Sequence, residues 1–218
     1  MYLVDSDIIH KIVHSPQMPR YISVLNNLWN EEQKKRKQFY EQMDASRKME
    51  FIEGEIIVHS PAKDIHIMVQ QNLSAIISSY AIVNNLGKVR GEKALVRLTR
   101  NDFEPDLSYF NKLTSKKIND DTLFYPSPDF VIEILSKSTE KKDRGVKFYD
   151  YELHSVKEYW IIDTNKKVVE QYLLQKDKYE LIVKIKTGFV ECSVLKGFSI
   201  PLIAIFNEKS RIEFVKTI

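Results

Sequence analysis

The chain has 218 residues, 43% of them hydrophobic and 29% charged, with a formal net charge of +3 and a sequence pI near 8.7. That composition reads as an ordinary globular protein of one domain with a sizeable core, and the mild basicity alone predicts no nucleic-acid partner. One cysteine, Cys192, excludes an intramolecular disulfide and a cysteine-based zinc site, and makes a reducing, cytoplasmic compartment the simplest reading.

The N-terminal stretch MYLVDSDIIHKIV carries acids and a histidine among its apolar residues, so it does not read as a signal peptide. No apolar run approaches the ~20 residues that span a bilayer, so no membrane association is expected. Pro16 and Pro19 interrupt the chain, and from Arg20 to Lys48 there is neither proline nor glycine. Val24, Leu25, Leu28, Phe39 and Met43 recur at helical spacing, which predicts one long exposed helix. Its basic run, Lys34 to Lys37, reads as a solvated face, with contact to a phosphate backbone as the sharper alternative. These features set residues 1–47 apart as an N-terminal helical extension to a domain over 48–218.

Glu53-Gly54 reads as a turn into a strand over Glu55 to His59. Ile65, Val69, Leu73, Ile76, Ile77 and Tyr80 mark one face of an amphipathic helix that Asp64 is placed to cap. Strands are predicted over Lys88 to Leu98 and Asp106 to Phe110, with a lysine-rich loop from Asn111 to Asp121 between the latter and the apolar run Asp129 to Leu135. A helix from Asp143 to His154 follows, then strands over Glu158–Asp163, Val168–Leu174, Tyr179–Lys186 and Phe189–Cys192. This order indicates an α/β or α+β fold with a mixed sheet.

Glu133 stands out within FVIEIL. In a strand it shares a face with Val131 and Leu135, where a lone carboxylate is costly unless paired or protonated. Asp106, after Pro105, carries little weight by itself. Together the two acids on neighbouring strands make a set that suits Mg²⁺, a cation that prefers hard oxygen ligands. Asp143 and Lys147 lie four apart on the next helix, either as a solvent pair or with the lysine turned back over the acids. His66, at the start of the amphipathic helix, reads by itself as a structural polar contact.

The stretches MEFIEGEIIVHSPAKDIH, EPDLSYF and SPDFVIEILSKSTEKKDRGVKFYDYELHSVKEYWIID resemble the Uma-type family of restriction-endonuclease-like proteins, within the PD-(D/E)XK nuclease superfamily. The resemblance runs from about Lys48 to Leu174. It implies a restriction-endonuclease-like core, a central mixed sheet flanked by helices, with Mg²⁺ (or Mn²⁺) at the sheet's split edge. By the same resemblance Asp106 and Glu133 hold the metal and Lys147 completes the catalytic set. Asp143, Glu50 and His66 match supporting positions, although Glu53 and Glu55 lie near Glu50. The implied activity is Mg²⁺-dependent endonucleolytic hydrolysis of DNA, with a homodimer among the assemblies it allows. The sequence departs from the pattern at Leu135, where the superfamily places its lysine, at Ser155 in place of the family's usual glycine, and at Lys137 in place of a frequent proline. Two other readings stay open: a nucleic-acid-binding module that keeps the fold without catalysis, and a protein-interaction module that docks through the N-terminal helix.

Overall fold

The computed structural model describes residues 6–44 and 46–218. The first five residues of the N-terminal stretch, and Ala45 within the predicted long helix, lie outside the described residues.

Two N-terminal helices, α1 (Ser6–Val13) and α2 (Met18–Gln42), come first. The predicted single helix to Lys48 ends six residues earlier. Asp44 explains the stop, since its carboxylate accepts from the backbone N–H of Ser46 at 2.7 Å and from its hydroxyl at 2.7 Å. Such an Asx turn offers the backbone an alternative to helical bonding. The first half of α2 does leave Leu25 and Leu28 exposed, but its second half does not stay in solvent. Phe39 is buried with Met49, Phe51 and Leu95. Lys34, Lys35 and Lys37 face solvent, whereas Arg36, inside the same basic run, is buried. Its guanidinium donates to both oxygens of Asp102, at 2.7 and 2.8 Å, and to the carbonyls of Thr99 and Leu98 at 2.9 and 2.8 Å. A planar fork with this many acceptors is what makes a buried arginine tolerable.

The core contains a six-stranded sheet and a five-stranded one. The larger has the order β11 (Lys178–Ile185), β10 (Val168–Gln175), β9 (Glu158–Asp163), β8 (Phe130–Ile134), β6 (Leu107–Asn111), β3 (Gly87–Gly91). The smaller runs β2 (Glu55–Val58), β1 (Met49–Ile52), β5 (Asp102–Phe103), β4 (Leu95–Arg97), β7 (Phe124–Tyr125). In the larger sheet β8 and β9 are parallel, and the pairs around them antiparallel. A parallel pair requires a crossover, which α5 (Glu140–Asp143) and α6 (Val146–Leu153) supply.

Helix α3 (Asp64–Val83) presents Val69, Leu73, Ile76 and Ile77, all fully buried, to one face of the larger sheet. The chain's last elements, a hairpin of β12 (Phe189–Cys192) and β13 (Phe198–Pro201) followed by α7 (Leu202–Phe206) and α8 (Glu208–Val215), close the same core. Strand β8 is buried on both sides: Phe130, Ile132 and Ile134 join this core, while Val131 joins a second cluster with Leu135 and Tyr151. That two-sided burial is why its sequence is a continuous apolar run.

Three predicted elements differ in detail. The strand Lys88–Leu98 is two strands, β3 and β4, on different sheets, because Gly91-Glu92-Lys93 turns the chain, with Lys93 at a positive φ of 73°. The loop after β6 holds a short helix, α4 (Lys112–Ser115), capped by the Asn111 side chain. The helix Asp143–His154 is broken at Gly145. The chain turns sharply between α5 and α6, so tightly that a Cβ at Gly145 would sit 2.7 Å from the Lys141 carbonyl oxygen. Among the described residues no helix is long and apolar enough to cross a membrane.

The docking of α2 is open to direct test. Arg36→Ala leaves Asp102 buried without its counter-charge and should lower stability by about 3–5 kcal/mol in chemical denaturation. Lys35→Ala, at an exposed neighbouring position, should change it by less than ~0.5 kcal/mol. Equal midpoints for the two variants would contradict a structural role for Arg36.

Candidate active site at the seam of the two sheets

The side chains singled out in the sequence lie in one cluster where the sheets meet. Glu50 comes from β1 of the smaller sheet. Asp106 immediately precedes β6, and Glu133 lies on β8, on the side it shares with Val131 and Leu135. Asp143 ends α5 and Lys147 belongs to the first turn of α6. His66 is in the first turn of α3.

Lys147 is at the centre. Its ammonium lies 2.8 Å from Glu50 Oε1, 3.1 Å from Glu133 Oε1 and 3.5 Å from Asp143 Oδ1, and its side chain is only 2% exposed. The helix break at Gly145 does not separate Asp143 from Lys147. The Tyr151 hydroxyl, one turn further along α6, donates to Glu133 Oε1 at 3.0 Å. Glu50 is held at both oxygens, by the backbone N–H of Glu104 (3.0 Å) and by His59 Nε2 (2.8 Å).

Asp106 is the other focus. Its Oδ2 accepts from the backbone N–H of Ile134 at 2.7 Å, which ties it to the residue after Glu133. Its Oδ1 lies 2.7 Å from Lys48 Nζ and 3.4 Å from His66 Nε2. Glu92, in the turn between β3 and β4, reaches within 3.7 Å of the same ammonium. Among the described residues His66, Glu92 and Asp106 each offer a ligand atom, and these atoms lie within 4.8 Å of one another. Glu133 stands outside that trio, with its Oε1 engaged by Lys147 and Tyr151.

The electrostatics follow from the count. Four buried carboxylates, Glu50, Asp106, Glu133 and Asp143, face two ammonium groups, Lys48 and Lys147. Burial pushes every acid up, and the lysines decide which ones resist. At Asp106, Lys48 and His66 outweigh burial and hold the carboxyl well below the usual range. At Glu50, Lys147, His59 and Lys48 outweigh it and bring the group down to about 2. At Glu133 burial wins. With Asp143 and Asp106 adding repulsion against the pull of Lys147, the carboxyl is pushed up to about 8. Asp143 is raised as well, chiefly by burial. For Lys147 burial alone would favour the neutral amine, but Glu133, Glu50 and Asp143 raise it well above its ordinary value.

Lys48, Glu92, Tyr151 and His59 were not singled out from the sequence. Tyr151 had a faint signal, four residues after Lys147 on the same helix. Lys48 and Glu92 had none, because each depends on a turn whose direction local pattern does not give.

Comparison with known proteins agrees with this architecture. A family model described as "Uma2: Putative restriction endonuclease" matches residues 36–202. No curated protein matches the chain. Among solved structures, one described as a "putative nuclease belonging to DUF820" from Anabaena variabilis ATCC 29413, determined at 1.96 Å, aligns with a TM-score of 0.67. The alignment covers 81% of this chain and 96% of that one at 19% identity, so it speaks for the fold. With its mixed sheet flanked by helices and a family match over most of its length, the chain belongs to the Uma2 family.

Proposed function

We propose that this protein is a metal-dependent endonuclease that hydrolyses phosphodiester bonds in DNA, with Mg²⁺ or Mn²⁺ as the cofactor. The observation that carries the reading is the charge imbalance of the seam. Four carboxyl groups are sequestered with only two ammonium groups, burial keeps the proton on Glu133, and a divalent cation would favour its release. The donor set fits such an ion. Asp106 Oδ1 and Glu92 supply hard oxygens, and His66 adds an imidazole, which suits Mn²⁺ as well as Mg²⁺. Glu133, with its proton released, is the further acid beside them. A divalent cation held there supplies charge for phosphate oxygens and acidifies a bound water.

The chain's own groups divide the remaining work. Asp106 turns Oδ1 toward Lys48 and His66, while Oδ2 is fixed to the β8 backbone. Lys147 is too deeply buried to touch a substrate. It acts as a positioning residue that holds Glu50 and Glu133 in place from beneath, and Tyr151 assists at Glu133. DNA enters the proposal through the family's description as restriction endonucleases. Backbone contacts by surrounding lysines and arginines would hold the duplex without reading its sequence, so binding should weaken steeply as salt rises.

Plasmid cleavage in Mg²⁺ or Mn²⁺ tests the reading. Wild type should nick DNA, whereas Asp106→Ala and Glu133→Ala should show no metal-dependent nicking. Lys147→Met, which disturbs the support rather than the donors, should lose about 10–100-fold. Nicking that is equal in wild type and both acid variants would sink the proposal.

A second expectation concerns pH in the metal-free protein. Burial holds the Glu133 carboxyl up at about 8 in the folded protein, above its ordinary value of 4.5. Between those values the folded state binds more protons, so this group makes stability fall as pH rises through the interval. Glu133→Gln imitates the protonated form. Its stability relative to wild type should therefore improve steadily from pH 5 to pH 8, as read from urea midpoints in the presence of a chelator. A constant difference across that range would show that Glu133 titrates as an ordinary acid.

A further inference from the structure

The two lysines of the seam differ in a way that bears on how a metal would enter. Lys147 is enclosed by three acids and 2% exposed. Lys48 is at the rim, with its side chain 16% exposed. It precedes β1, and its backbone is fixed, since its carbonyl accepts from the His59 N–H at 3.0 Å. Its ammonium lies 2.7 Å from Asp106 Oδ1 and 3.7 Å from Glu92 Oε1. These are two of the three groups that converge as candidate ligands.

Of the two Asp106 oxygens, Oδ2 accepts from the Ile134 N–H, and Oδ1 is the one that faces Lys48 and His66. The ammonium of Lys48 already holds Oδ1. A divalent ion bonded to that same oxygen would stand beside a positive charge in a partly buried, poorly screened place. The two charges compete for one site. The geometry also provides an exit for the loser. Lysine is a compact charge on a flexible four-carbon stem, and here the ammonium lies 3.7 Å from Glu92, itself 37% exposed.

We infer that Lys48 is a built-in counter-ion occupying the cation position of the free protein, and that a divalent metal binds between Asp106 and Glu92 only by displacing its ammonium toward the surface. This rests on the reading of the seam as a metal site. It assigns to Lys48 a restraint on metal affinity, and it releases a positive charge at the mouth of the site, where a phosphate would arrive, at the moment the metal is loaded. Lys147, which has no such exit, stays in place throughout.

Mn²⁺ titration followed by electron paramagnetic resonance of the free ion tests this with wild type, Lys48→Met, Asp106→Asn and the double variant. Lys48→Met should bind Mn²⁺ at least ~10-fold more tightly than wild type, since juxtaposed like charges are disfavoured. Asp106→Asn should remove that binding in either background. Binding by Lys48→Met that is no tighter than wild type, but still lost in Asp106→Asn, overturns the role of Lys48 and leaves the metal site standing. Absence of Mn²⁺ binding in both wild type and Lys48→Met overturns the metal site and this inference with it.

If Lys48→Met does not fold, amine labelling of the wild type decides. Reductive methylation followed by mass spectrometry should modify Lys48 faster when Mn²⁺ is present and leave Lys147 unmodified in both conditions. A Lys48 labelling rate indifferent to Mn²⁺ overturns the displacement.

Discussion

Four carboxylates and two ammonium groups withdrawn from water at the junction of two sheets are the constraint around which this molecule is arranged. Charges in such a place are costly unless each finds partners of good geometry, and removing one member leaves its neighbours uncompensated. The fold meets that demand from several directions. Strand β1 delivers Glu50 already tied to His59 and to the backbone N–H of Glu104, just after β5. Strand β8 delivers Glu133 and donates the Ile134 N–H to Asp106. Helix α6 delivers both Lys147 and Tyr151 to Glu133. No single element forms the site, so its geometry depends on the two sheets being held together.

That dependence gives α2 a role that reaches beyond its own length. Arg36 pins the helix to Asp102 and to the carbonyls of Leu98 and Thr99. Asp102 pairs directly with Phe51 of β1, the residue after Glu50. The buried arginine therefore anchors the segment against which the Glu50 strand lies. A helix that reads in the sequence as an exposed arm is, in its second half, part of the frame that positions the acids.

Much of this was legible beforehand, for reasons particular to each residue. Glu133 was conspicuous because an apolar strand with both faces buried should not contain an unpaired acid. Helix α3 was legible because its apolar period is unambiguous over five turns. Other features depended on information that a local pattern does not contain. The turn at Gly91-Glu92-Lys93 sends β3 and β4 to different sheets, which puts Glu92 beside Asp106. Arg36 looks like its neighbours Lys35 and Lys37, and only the distant loop from Leu98 to Asp102 distinguishes it. Lys48 precedes a strand whose partner local pattern does not give, and its side chain meets an acid 58 positions away.

The position of Leu135 brings these points together. Two residues after Glu133 it lies on the same side of the strand, where the superfamily pattern has a lysine, and here it belongs to a hydrophobic cluster with Val131, Val156, Ile161 and the ring of Tyr151. An ammonium at that position would be set among hydrocarbon. The positive charge Glu133 needs arrives instead from across the seam, on a helix whose sharp start at Gly145 lets Asp143 and Lys147 converge on one point. Moving the lysine has a consequence. A lysine supplied from the helix is surrounded by three acids and cannot leave, so it can organise the carboxylates but cannot answer a change of charge at the mouth of the site. The only lysine of the cluster at the rim, with its stem partly in solvent, is Lys48. In the proposed reading, support therefore falls to Lys147 and the response to a metal to Lys48.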